Sequence, residues 1–165
     1  MSGSPLQREI RQRKPFRSSA HEALVGLLRT TDRVRRTLAG VVEPRGLTLQ
    51  QYNVLRILRG ARPAGLPTLE IAARMVEHAP GITRLLDRLE GKTLVRRQRR
   101  DDDRRQVMCR ITPAGLRLLA GLDSGLQRAD ESTLGMLSRR DLRRLIALLD
   151  RIRAAPASLN KGEER

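Results

Sequence analysis

Three features of this sequence predict a mainly α fold with one small β-hairpin. Apolar residues recur at helical spacing along most of the chain. Two short alternating runs, at 94–99 and 106–111, read as the strands of a hairpin. Aromatic residues make up only 1%, Phe16 and Tyr52, so the core must be aliphatic, and leucine-rich helices are the natural way to build one. A length of 165 residues suits one domain.

Residues 1–18 are basic and poor in apolar side chains; Arg8, Arg11, Arg13, Lys14 and Arg17 are opposed only by Glu9. An arm without fixed structure is expected, with an added phosphate-binding tail as the alternative. Ser19 and Glu22 have capping-box spacing, so a helix can start there. It runs to about residue 42 on a stripe of Leu24, Leu27, Leu28, Thr31, Val34, Leu38 and Val41, and Pro44 and Gly46 end it. With one stripe at the start of the chain, it can pack on a partner as well as on its own core.

Thr48 and Gln51 form a second capping box, with Leu47 and Tyr52 as its hydrophobic staple. That helix runs to about Arg59 with Tyr52, Leu55, Ile57 and Leu58 inward. Residues 60–65 are a loop, and Pro67 sits at the first turn of a third helix over 68–75. A turn at 76–79 leads to the fourth. There Pro80 suits the first helical position, where no N–H is needed, and Ala79 is a weak N-cap. Ile82, Leu85, Leu86 and Leu89 fall at i, i+3, i+4 and i+7 and form one apolar face. Gly81, Thr83, Arg84, Asp87 and Arg88 lie off it. The outer first turn is thus built of small groups followed by arginines. That shape can enter a groove closely, with the positive helix end and guanidinium groups aimed at phosphates or base edges.

In the hairpin, Val107, Cys109 and Ile111 share one face and Met108 and Arg110 the other. The intervening Arg100-Asp101-Asp102-Asp103-Arg104-Arg105 is too charged to be core. Thr112 caps a fifth helix with Pro113 at its first position and Ile111 stapled on Leu116. Leu116, Leu119, Leu122 and Leu126 form its stripe, while Gly115, Gly121 and Gly125 weaken it by roughly 1 kcal/mol each. Ser138 and Asp141 open a sixth, with Leu137 stapled on Leu142 and a stripe of Leu145, Ile146, Leu149 and Ile152. The order is four helices, two strands, two helices. Its middle, about 47–112, is a winged helix-turn-helix; flanking helices at 19–43 and 113–155 complete a single domain over 19–155, and 156–165 is a flexible tail.

Composition narrows the function. The formal net charge is +16, and residues 92–110 hold eight Lys/Arg against three Asp. A chain this basic usually meets a polyanion, and nucleic acid leads the candidates. The near-absence of aromatics argues against single-strand binding, where bases stack on aromatic rings. The lone Cys109 allows no internal disulfide, which fits a reducing compartment, and is read as a core residue. No apolar run is long enough for a transmembrane helix or a signal-peptide core, so a cytoplasmic protein with no membrane partner is expected. His21 and His78 stand too far apart to suggest a metal site. No nucleophile–base pairing, glycine-rich phosphate loop or metal-ligand cluster occurs, so neither enzyme activity nor a cofactor is expected.

The stretches GLTLQQYNVLRIL, GITRLLDRLEGKTLV and DDDRRQVMCRITPAGLRLL resemble the MarR family of bacterial transcriptional regulators over about residues 20–152. The most specific part is Asp103-Arg104-Arg105 followed by Ile111-Thr112-Pro113-Ala114-Gly115, at the spacing of that family's wing and following helix. The resemblance implies a homodimer joined by the first and last helices, with the fourth helix in the major groove of double-stranded DNA and the wing in the flanking minor groove. It implies a repressor released by a small phenolic or other amphipathic ligand. On this reading Pro80, Gly81, Thr83, Arg84 and Arg88 form the recognition surface, and Arg104 and Arg105 serve the wing. Arg104 is the first choice for the minor groove, where a narrow A·T-rich segment concentrates negative potential. Asp103 shapes the wing, and Asp87 is the partner of a wing arginine, with Arg105 the first choice. Tyr52 is a staple residue and a candidate to line a ligand pocket. The family commonly carries Gly where this chain has Thr93, and Gly91 is expected to take over as the left-handed cap. The wing starts Arg100-Asp101 where Asp-Pro is usual, and Ala79 stands for the usual Ser or Thr. The competing class is a basic nucleoid- or RNA-associated winged-helix protein with no operator.

Overall fold

The computed structural model describes residues 3–99 and 107–155. Its elements are α1 (Pro5–Glu9), α2 (Ser19–Val42), a 3-10 turn (Glu43–Arg45), α3 (Leu49–Gly60), β1 (Leu66–Pro67), α4 (Thr68–Ala73), α5 (Ile82–Gly91), β2 (Val95–Arg99), β3 (Val107–Ile111), α6 (Pro113–Leu134) and α7 (Arg139–Ala154). Residues 1–126 and 127–165 cluster as two compact units. The fold is mainly helical with a small antiparallel sheet and a winged helix-turn-helix at its centre, as the periodicities predict.

The core of the first unit is aliphatic. Leu55 and Leu58 of α3, Ile71 of α4, Leu86 and Leu89 of α5, and Leu119 and Leu122 of α6 are fully buried in one cluster. Thr48 caps α3: its hydroxyl accepts the Gln51 N–H at 3.2 Å, and the Gln51 side chain accepts the Thr48 N–H at 3.1 Å. Both N–H groups are orphans at a helix start, so the reciprocal pair satisfies them locally and lets Gln51 be buried. Ser138 caps α7 by accepting the Asp141 N–H at 3.2 Å.

The structure departs from the sequence reading in several places. The arm expected to lack structure contains α1. Ser4 caps it with Pro5 in the first turn, Leu6 packs toward Gly26 of α2, and Glu9 pairs with Arg29 at 3.0 Å. The cap of α2 is Ser18, one residue before the expected Ser19; its hydroxyl accepts the His21 N–H at 3.1 Å. The sheet has three strands, not two, in the order β1-β3-β2, with Leu66 opposite Cys109 and Val95 opposite Ile111. β1 takes Pro67, placed by the sequence in a helix turn, as its last residue.

Gly91 does not take over as the left-handed cap. Thr93 itself adopts φ 58°, and the N–H groups of Thr93 and Leu94 reach the carbonyls of Glu90 and Leu89 at 2.8 and 2.9 Å. This is a Schellman closure with a β-branched residue in the glycine position. The left-handed region costs an L-residue roughly 1–2 kcal/mol, part of which glycine returns through the entropy of the unfolded chain. Thr93→Gly is therefore expected to stabilise the fold by about 0.5–1 kcal/mol. A thermal midpoint at or below that of the parent chain would contradict this account.

Gly115 has a packing reason that propensity hides. A Cβ there would lie 2.5 Å from the Leu94 carbonyl and 2.7 Å from the Ile111 side chain. Only glycine lets the start of α6 approach the end of the wing so closely. Thr112 completes the joint, accepting the Gly115 N–H at 3.1 Å and donating its hydroxyl to the Thr93 carbonyl at 2.7 Å.

Candidate nucleic-acid interface

α5 carries the surface singled out from sequence. Ile82, Leu86 and Leu89 are buried and Leu85 is half-buried, so the apolar face is the inner one. Thr83, Arg84, Asp87 and Arg88 are exposed on the outer face. The helix starts two residues later than the sequence suggests. Pro80 lies in the preceding turn, and the cap is Gly81 rather than Ala79. Gly81 has φ 121°, which an L-residue rarely adopts, and open space surrounds the site of a Cβ. The glycine therefore answers a backbone need, not close packing. No side chain caps α5, so its first N–H groups, beside Thr83 and Arg84, lack a side-chain acceptor among the described residues. Such a helix end attracts anions by its exposed donors and its dipole.

Among the described residues, Asp87 is held by an arginine of the first wing strand. Arg97 of β2 places Nη2 2.7 Å from Asp87 Oδ1 and 2.6 Å from Glu90 Oε2, and its Nε donates to Glu90 Oε2 at 2.7 Å. The Arg97 backbone N–H donates to Glu90 Oε1 at 2.9 Å. One half-buried guanidinium thus ties α5 to β2. Arg105, the residue expected at Asp87, lies outside the described residues, as do Asp103 and Arg104. Sequence reasoning missed both Arg97 and Glu90. Their pairing depends on how the helix end folds back onto β2, which no local pattern encodes.

Hydrogen bonds from the Arg97 side chain, and then from its backbone, hold the Glu90 carboxyl below the usual carboxylate range. The same contact with Glu90 raises the Arg97 guanidinium, which stays charged throughout. A depressed carboxylate contributes stability above its unfolded value and loses that contribution as pH falls through the folded value. The lead of the parent chain over Glu90→Gln is therefore expected to be complete above about pH 4.5 and to shrink in more acid solution. Urea midpoints across a pH series would test this, and a constant gap would count against it.

The remaining candidates fall away from this surface. Tyr52 is half-buried in α3 against the core, the place expected of a staple. Cys109 is fully buried, and burial pushes its thiol up, which fits a core residue. Among the described residues no cluster of metal-ligating side chains occurs, and no helix is long and apolar enough to cross a membrane.

A three-stranded sheet, a buried-backed helix with a cationic outer edge and a wing tied to it define a winged helix-turn-helix regulator. The MarR family model matches residues 47–107. A MarR transcription factor from Planctomyces limnophilus is 41% identical, with 82% of this chain and 98% of that one covered and a TM-score of 0.64. The chain belongs to the MarR family of transcriptional regulators. Bordetella bronchiseptica BpsR, whose DNA binding is regulated by 6-hydroxynicotinic acid, shares the fold at 21% identity and a TM-score of 0.74, over 86% of this chain and 99% of that one. Rhodococcus jostii CouR, solved with p-coumaroyl-CoA, does so at 22% and 0.70, over 90% and 99%. A Thauera aromatica protein provisionally described as the transcriptional regulator for the hcr operon is 30% identical over 107 residues. That match spans 65% of this chain and 63% of the relative's length.

Proposed function

We propose that this chain is a repressor that binds a pseudo-palindromic operator in double-stranded DNA as a homodimer. One observation carries the reading: α5 exposes Gly81, Thr83, Arg84 and Arg88 while Ile82, Leu86 and Leu89 seat it in the core. Pro80, exposed just ahead of them, belongs to the same surface. Phosphate contacts supply most of the affinity, and Thr83, Arg84, Arg88 and the wing choose the site. Within the wing, Arg104 enters the minor groove, Arg105 supports it and Asp103 shapes the loop, as the family resemblance implies.

The homodimer is supported by apolar side chains left exposed on each terminal helix. These are Leu24, Leu27 and Leu28 on α2 and, taken separately, Ile146, Leu148 and Ile152 on α7. Release by a small amphipathic or phenolic effector is suggested by the ligands named for BpsR and CouR, and Tyr52 is the candidate contact.

Selection of bound fragments from random duplex DNA tests the proposal. The expected result is a pseudo-palindrome whose half-site centres lie about 10 bp, or roughly 34 Å, apart. A specific-to-random affinity ratio near one at physiological salt would favour a non-specific nucleoid- or RNA-associated protein instead, for which a charge of +16 would suffice.

A further inference from the structure

The chain between α4 and α5, residues 74–81, is longer than the three or four residues usual in a helix-turn-helix. Among the described residues its backbone bonds tie its two ends: Arg74 and Met75 reach back to α4, and Gly81 accepts from Leu85. Met75 packs against the core at the start of the turn, but Val76 after it is 80% exposed. Two side chains from other elements hold it instead. Asn53 of α3 accepts the Val76 N–H with its Oδ1 at 2.9 Å. Arg35 of α2 pairs with the Glu77 carboxylate.

We propose that Asn53 and the Arg35–Glu77 pair are positioning residues for DNA binding. They fix the turn, and so place Gly81, Thr83 and Arg84 at the start of α5. The inference rests on the operator-binding reading above. An exposed ion pair and a single hydrogen bond add little to stability. A small displacement of the turn, by contrast, moves every group at the helix start together. Arg35 also lies on the α2 stripe of Leu24 and Leu28, about 10 Å beyond Leu28 along the axis. A second copy covering those leucines would grip the same rod that anchors the turn.

The full-length chain and its Asn53→Ala, Arg35→Glu, Glu77→Arg and Arg35→Glu/Glu77→Arg variants would be titrated with the selected operator and with random duplex, and their thermal midpoints measured. Asn53→Ala is expected to lower the operator-to-random ratio several-fold, while its midpoint falls by no more than the loss of one hydrogen bond accounts for. Glu77→Arg is the sharper variant. Added positive charge alone would tighten binding to any duplex, whereas a displaced turn lowers the preference for operator. The double exchange is expected to restore the ratio. Unchanged ratios in Asn53→Ala and Glu77→Arg would overturn the proposal. So would losses that track the midpoints and are not recovered by the exchange. A parent chain with no preference for any duplex would instead refute the operator reading, and this inference with it.

Discussion

Leu86→Ala is expected to destabilise the fold by about 2–5 kcal/mol, the cost of emptying a fully buried leucine site. Leu86 is 0% exposed and lies at the centre of the inner face of α5, within the cluster that joins α3, α4 and α6. The loss has two parts. Transfer of the removed methyl and methylene groups is one, and the cavity left within that cluster, which cannot collapse without moving the packed helices, is the other. Leu85, one position away and half-buried, provides the internal comparison. Leu85→Ala should cost clearly less, and Leu86→Met, which keeps the volume, below about 1.5 kcal/mol. Thermal or urea unfolding of the three variants measures the ranking. If Leu86→Ala were no worse than Leu85→Ala, α5 would not be seated by the face described.

The sequence made that face legible because its signal is periodic and local. The same holds for the Thr48 capping box, the Thr112 cap and the hairpin, where each residue's neighbours in the chain supply the partner. What escaped notice needs a partner far away in sequence. A five-residue helix has too few internal hydrogen bonds to persist alone, so α1 depends on Leu6 meeting Gly26 and Glu9 meeting Arg29. β1 has two residues and exists through its pairing with β3. Glu90 and Arg97 meet because the chain reverses at Thr93, a position whose sequence argues against the conformation it adopts. The start of α5 lies later than its sequence signals for a related reason. Pro80 is well suited to a first helical position, but the φ of Gly81 breaks the helix after it.

Arg84→Ala is expected to weaken binding to the selected operator by about 1–3 kcal/mol while leaving random duplex nearly unaffected. The residue is exposed in the first turn of α5, beside N–H groups that no side chain caps. The nearest acid on its helix face, Asp87, is engaged by Arg97, and among the described residues Arg84 makes no ion pair. Two roles are open to such a group, and they separate experimentally. A base-edge contact uses the planar fork of arginine against two acceptors, so Arg84→Lys should lose most of what Arg84→Ala loses. A phosphate contact needs only the charge; lysine would then restore binding, the loss to alanine would be equal on random DNA, and the salt slope would fall by about one. Arg36 on α2, paired with Asp32 at 2.5 Å, serves as a control for general electrostatics. If Arg36→Ala matched Arg84→Ala on the operator, net charge rather than the helix edge would govern recognition.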